Sequence, residues 1–244
     1  LPPANHGERE LVVLVDNRFD SERVPLFEPF FDFYGYGGLY RSVELQEVPE
    51  RYIRRLEVTP LDVELGTVRL SLYLNNSDPG PLTATVSFNG ETGSPVVLER
   101  TADCHAVEVR VPRPRSWSPR DPHLHRVRVD TAEDSIEVRF GLRILEATDG
   151  QIRLNGEPIK LRGVCRHEAH PQFGPALPLG QLVQDLALIR AMGCNFVRGV
   201  HYPQDQRFLD LCDELGVLVF EESLGWGQRD RRFFESDAFR QGQA

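Results

Sequence analysis

The residues best suited to chemistry fall in two short stretches near the end of the chain. Arg198, His201 and Tyr202 lie in Asn195-Phe-Val-Arg-Gly-Val-His-Tyr-Pro203, and Glu221 and Glu222 follow the apolar run Val217-Leu-Val-Phe220. Arginine is a permanent cation whose planar fork matches a carboxylate. Imidazole donates from one ring nitrogen and accepts at the other, which suits hydroxyl groups. Glu221 and Glu222 are adjacent, so on a strand they point to opposite faces and cannot act together on one bond. A second cluster, Cys165-Arg-His-Glu-Ala-His170, adds His167 and a thiol. With His201 it offers nitrogen and oxygen ligands for a metal, but the spacing is not HExxH and the first two groups need not share a face. Each residue also has a plainer role: a histidine satisfied by its own loop, an interior ion pair between Arg198 and Glu222, a buried free thiol.

The elements that must hold these groups follow from periodicity. Ile159–Val164, Asn195–Val200 and Val217–Glu221 are short apolar runs that predict strands. Leu179–Met192 carries Leu182, Leu186 and Ile189 at helical spacing and stops at Gly193; Gln206–Leu215 is a second helix, stopping at Gly216. Strands alternating with helices predict a parallel α/β sheet, whose ligands bind at the carboxyl ends of the strands. The βαβαβ pattern fits the opening of a (β/α)₈ barrel, which needs about 250 residues to close. Residues 223–244 read as an irregular loop.

Upstream, the period is two. Ile53–Val58, Val68–Leu74, Thr83–Phe88, Val96–Leu98, Ala106–Val111, Leu124–Val129 and Ile136–Phe140 are separated by turn residues such as Asn89-Gly90. This spacing predicts an immunoglobulin-like β-sandwich, without the Cys-Trp-Cys pattern of antibody domains. Leu11–Asp16 is an apolar run suited to a sheet core, and Leu39–Leu45 alternates as a strand does. Two or three strands cannot make a sandwich alone, so this piece is expected to lean on a neighbour.

Bulk properties narrow the function classes. The 244 residues carry a net charge of −9 and 40% hydrophobic residues, an ordinary globular composition. That acidity argues against nucleic acid as a partner. No apolar run approaches the roughly 20 residues of a membrane span. The start, Leu1-Pro-Pro-Ala-Asn-His-Gly, shows no signal peptide, so a cytoplasmic location is favoured. Met192 is the single methionine, so residue 1 is expected not to be the natural start. Four cysteines without a CxxC pair read as free thiols. The two histidines His123 and His125 share a strand face and are expected to be solvated.

Three blocks, in order, resemble glycoside hydrolase family 2, which includes β-galactosidases, β-glucuronidases and β-mannosidases. Asp32-Phe-Tyr-Gly-Tyr-Gly-Gly-Leu-Tyr-Arg-Ser-Val43 is similar to the end of that family's sugar-binding domain. Trp117-Ser-Pro, Pro122-His-Leu124 and Phe140-Gly-Leu-Arg143 resemble its immunoglobulin-like domain. Leu154-Asn-Gly-Glu-Pro158, Arg162-Gly-Val-Cys-Arg-His-Glu168 and the stretch from Asn195 to Glu222 resemble the first strands of its catalytic barrel; Val200 stands where the family has a small residue.

The resemblance implies a multi-domain β plus α/β chain: a jelly-roll remnant over 1–48, an immunoglobulin-like β-sandwich over 49–142 and the first part of a TIM barrel over 143–244. It implies that His167 and His201 bind sugar hydroxyls and that Arg198 orients the nucleophilic carboxylate. Asp32, Glu222 and Trp226 complete the substrate shell. The family's two catalytic glutamates lie on later strands, so this chain carries no catalytic residue and is expected to be inactive alone. The implied parent is a retaining β-glycosidase without a cofactor. The magnesium site of large β-galactosidases is absent, Trp226 and Gln228 standing at its positions. The implied partner is a carbohydrate, and self-association into a homo-oligomer is compatible with an open strand edge at Val217–Glu221. Asp32–Arg41 leans to a glucuronide, while Arg166-His-Glu with His170-Pro171 leans to a galactoside. The rival reading is a non-catalytic carbohydrate-binding or scaffolding protein.

Overall fold

The computed structural model of the chain describes residues 11–17, 35–76, 79–223, 231–237 and 240. Seven strands, β1 (Ile53–Asp62), β2 (Thr67–Leu74), β3 (Leu82–Phe88), β4 (Ser94–Arg100), β5 (His105–Arg110), β6 (Leu124–Asp130) and β7 (Ser135–Gly141), form one antiparallel sheet. Its order is β1-β2-β5-β4-β3-β6-β7. The groups β1-β2-β5-β4 and β3-β6-β7 have the strand order of the two faces of an immunoglobulin-like sandwich. The β3–β4 pairing joins the faces, and Ile53 N donates to Asp134 Oδ2 at 2.8 Å, nearly closing the curl. Alternation drives this architecture: Val68, Leu70 and Leu72 on β2, and Val127 and Val129 on β6, are fully buried, while the residues between them face outward. Each such side chain contributes about 1.5–3 kcal/mol on leaving water.

A small meander follows: β8 (Leu145–Thr148), β9 (Gln151–Leu154) and β10 (Glu157–Pro158). Its turns are Asp149-Gly150 and Asn155-Gly156, all four residues at positive φ, as two-residue hairpins require. Then β11 (Gly163–Arg166), α1 (Leu179–Ala191), β12 (Phe196–Gly199), α2 (Gln206–Leu215) and β13 (Leu218–Glu221) form a parallel sheet, order β11-β12-β13, with two connecting helices. Leu182, Leu186 and Ile189 of α1, Phe208 and Cys212 of α2 and Val197 of β12 share one core. The Asp205 side chain accepts from Arg207 N to cap α2, which ends at Gly216 in the left-handed conformation. A last helical turn, α3 (Arg231–Phe234), lies near the end of the described chain.

The two units meet at the C-terminal end of α2. Trp117 Nε1 donates to Asp213 O at 2.7 Å, and Arg143 Nη2 donates to Asp213 Oδ1 at 2.8 Å. The Arg143 guanidinium lies over the Trp117 ring, 4.3 Å from its centroid. Trp117 packs with Leu154 and Leu218. Among the described residues, no helix is long and apolar enough to cross a membrane.

Several expectations are corrected. Leu11–Asp16 forms no strand, and Leu14 is 92% exposed; Leu39–Leu45 is likewise irregular. Neither run is assigned to a sheet among the described residues, and alternation by itself does not supply the neighbouring strand a ladder needs. The strand expected at Ile159–Val164 lies at Gly163–Arg166. Asn195 explains the offset: its Oδ1 accepts from Arg162 N at 2.8 Å and its Nδ2 donates to Lys160 O at 3.1 Å, so a side chain occupies those backbone groups. Residues 231–234 are helical rather than loop. His125 is buried rather than solvated: its Nδ1 pairs with Asn89 Nδ2 at 3.2 Å and its Nε2 with Arg115 O at 3.0 Å.

Candidate functional site

The parallel register brings the chemical residues together. Pairing of Arg166 with Gly199, and of Gly199 with Glu221, sets the three strand ends level. The residues just beyond, His167, His201 and Glu222, therefore share one end of the sheet. Arg198, inside β12, reaches the same place: its Nε donates to Glu222 Oε1 at 2.6 Å and its Nη2 also contacts that oxygen. His201 Nδ1 lies 2.9 Å from Glu222 Oε2. A carboxylate only accepts, so Nδ1 carries the proton in this contact. The His167 ring meets His201 edge-on, centroids 5.4 Å apart, and lies 6.1 Å from the Tyr202 ring.

The electrostatics favour a fixed anion at Glu222. Burial works against its charge, but the hydrogen bonds and charges of His201 and Arg198 outweigh it and hold the carboxyl below the usual carboxylate range. The hydrogen bond to Glu222 raises Arg198 above its ordinary value, helped by Cys165, whose Sγ lies 3.9 Å from Nη1. Glu221 faces elsewhere: its Oε1 accepts from Gln204 N at 2.6 Å. The two adjacent glutamates thus take different partners.

Beneath this cluster lies a second, buried one. Glu168, 2% exposed, accepts from Asp205 N through Oε2 at 2.6 Å, and its own N donates to Tyr202 Oη at 3.0 Å. Arg166 lies over the Phe208 ring, donates to Gln204 Oε1 at 2.8 Å and pairs with Asp185 at 3.1 Å. Arg207 holds the Asp205 carboxyl below its usual range. Burial pushes the Tyr202 hydroxyl up.

Of the six sequence-predicted substrate residues, His167, Arg198, His201 and Glu222 converge here; Asp32 and Trp226 lie outside the described residues. Glu168 and Arg41 were missed as site residues. Both sit inside family-like blocks, but no spacing rule joins positions 127 apart. Among the described residues, no group of three or more His, Cys, Asp or Glu is placed to hold a metal ion. The four cysteines are unpaired, with Cys104 and Cys212 buried and Cys165 exposed.

Comparison with known proteins identifies the family. The family model described as "Glycosyl hydrolases family 2" matches residues 51–143, and that described as "Glycosyl hydrolases family 2, TIM barrel domain" matches residues 145–236. A galacturonate-bound β-galacturonidase of Eisenbergiella tayi superposes with a TM-score of 0.76 at 34% identity, over 93% of this chain and 42% of that one. A β-glucuronidase of Parabacteroides merdae gives 0.69 at 30% identity, over 86% of this chain and 28% of that one. A β-galactosidase of Thermoanaerobacter pseudethanolicus is 32% identical over 235 residues, 90% of this chain and 31% of its own length. The chain spans between 22% and 31% of the length of the first curated relatives it matches.

Proposed function

We propose, from the premise that the chain belongs to glycoside hydrolase family 2, that it forms one wall of the sugar site of a retaining β-glycosidase. The observation that carries the reading is the Glu222 carboxylate held between Arg198 and His201, beside His167, at the carboxyl ends of parallel strands. In this reading the ion pair is scaffolding. It fixes the His201 ring at the sheet's carboxyl end, where an imidazole can meet a sugar hydroxyl, and it places a cation where the nucleophilic carboxylate must stay ionised. His167 supplies a second hydroxyl contact. Asp32 and Trp226 belong to the same substrate shell on the family resemblance alone.

Retention needs two carboxyl groups about 5–5.5 Å apart, one as acid/base and one as nucleophile. Glu221 and Glu222 are committed to Gln204 and to Arg198 with His201, so the pair is assigned to the rest of the barrel. Residues 1–48, 49–142 and 143–244 are then the tail of a jelly roll, the sandwich and the start of that barrel. The substrate class is a terminal β-galactoside or β-glucuronide. Support comes from the β-galactosidases among the sequence relatives and the uronidases among the structural ones.

The test uses the full-length protein and nitrophenyl β-glycosides. His201→Ala and His167→Ala should each lower kcat/KM by roughly two to four powers of ten, since each 1.36 kcal/mol of lost transition-state binding is tenfold. Both variants folding normally with parental activity would refute the assignment. The 244-residue chain itself should release no more nitrophenol than buffer.

A further inference from the structure

We infer that Arg41 is a positioning residue: it latches the segment Tyr36–Arg41 onto the sheet's carboxyl end and thereby holds the loops bearing His167 and His201. The inference rests on the function proposed above for what those loops do. Arg41 Nη2 donates to Pro203 O at 2.6 Å and to Glu168 Oε1 at 3.4 Å. One guanidinium therefore ties the loop after β12 to the loop after β11, each contact next to or within two residues of a site histidine. The same segment passes near Gly174 of the loop after β11, where an added Cβ would lie 3.4 Å from Tyr36 Cε1.

Charge balance favours the latch. Glu168 is 2% exposed, and a carboxylate buried to that degree needs compensation. Arg166 stands 3.8 Å away, yet it is already paired with Asp185 at 3.1 Å and bonded to Gln204. Arg207 is committed to Asp205. Arg41 supplies the nearer cation among the described residues, its Nη2 3.4 Å from Glu168 Oε1. Without it, the buried carboxylate gains relief chiefly by opening toward water. Opening breaks the bonds Glu168 makes to Asp205 N and Tyr202 Oη, which hold the two loops together.

Hydrogen exchange on this chain reads the latch without reference to activity. In Arg41→Met, the amides of Glu168 and Asp205 should exchange roughly tenfold faster or more, with those of β2 and β6 unchanged; Arg41→Lys should stay within about threefold of the parent. Glu168→Gln removes the charge that needs balancing, so adding Arg41→Met to it should change exchange by less than about threefold. Unchanged exchange in Arg41→Met overturns the latch. So does a double variant as open as Arg41→Met alone. If Arg41→Met does not fold, the Lys variant and the double variant decide by the same limits. In the full-length protein, Arg41→Met should lower kcat/KM roughly tenfold or more, with Arg41→Lys restoring it. Parental activity in Arg41→Met, with loops opened and the histidine variants impaired, overturns the latch as a determinant of the site. Parental activity in both histidine variants overturns the proposed function instead.

Discussion

Replacing Gly216 by alanine should loosen the joint between the two units, and Gly193→Ala provides the control. Both glycines end a helix at positive φ, 75° and 77° respectively. A left-handed alanine costs about 1–2 kcal/mol, and both variants should lose that much. At Gly193 a Cβ meets nothing within 4 Å. At Gly216 it would lie 2.5 Å from Pro119 O and 2.9 Å from two further backbone atoms of Pro119. Backbone cannot swing aside as a long side chain does, so the joint must open by close to an ångström. The Trp117 Nε1–Asp213 O bond, 2.7 Å long beside this contact, then stretches or breaks. Stranding that donor costs about 1–3 kcal/mol. The total for Gly216→Ala is therefore about 2–5 kcal/mol, against about 1–2 for Gly193→Ala. Urea unfolding of the two variants in a Trp226→Phe background, where Trp117 is the sole remaining tryptophan of the two, measures both. Equal losses within about 0.5 kcal/mol, the usual margin for independent sites, would refute the close-approach argument.

Acid should act through Glu222: its folded value lies below its ordinary 4.5, so its contribution is fully present above pH 4.5 and is lost as pH falls through the folded value. Stability of the parent should therefore fall more steeply below pH 4.5 than that of Glu222→Gln, and parallel curves would remove the carboxylate from the balance. His125 acts in a higher window. Burial lowers its folded value below 6.5, so the stability it contributes is present above pH 6.5 and declines as pH falls from there; His125→Gln should flatten the unfolding midpoint over that range. Among the thiols, exposed Cys165 should react first with Ellman's reagent, while Cys212, pushed up to about 12 by burial, should react only on unfolding.

Local signals located the elements whose hydrogen bonds are local or whose pattern is long. Helix α2 matches its expected span, Gln206–Leu215, because Asp205 caps one end and Gly216 breaks the other within the same stretch of chain. The seven strands of the curled sheet were legible because alternation persists through each. The meander from Leu145 to Pro158 was missed although its Asp149-Gly150 and Asn155-Gly156 turns were in plain view; its strands are too short for their period to stand out. The family-like residues Arg198, His201 and Glu222 could likewise be named in advance.

Other features depended on partners that sequence distance hides. Alternation at Leu39–Leu45 says which face a strand would bury, not whether a second strand is there to pair with it. The start of β11 moved because a distant asparagine side chain took the backbone groups of residues 160 and 162. Adjacency told that Glu221 and Glu222 must diverge. The Arg198–Glu222 ion pair was among the roles the residue types offered; the parallel register, which sets Gly199 opposite Glu221, added His201 to it and gave Glu221 to Gln204. The Arg41–Glu168 pair joins positions 127 apart. A buried charge selects its counter-ion by position in space, so residue types and spacing determined the chemistry on offer, and the packing of three loops determined which groups share it.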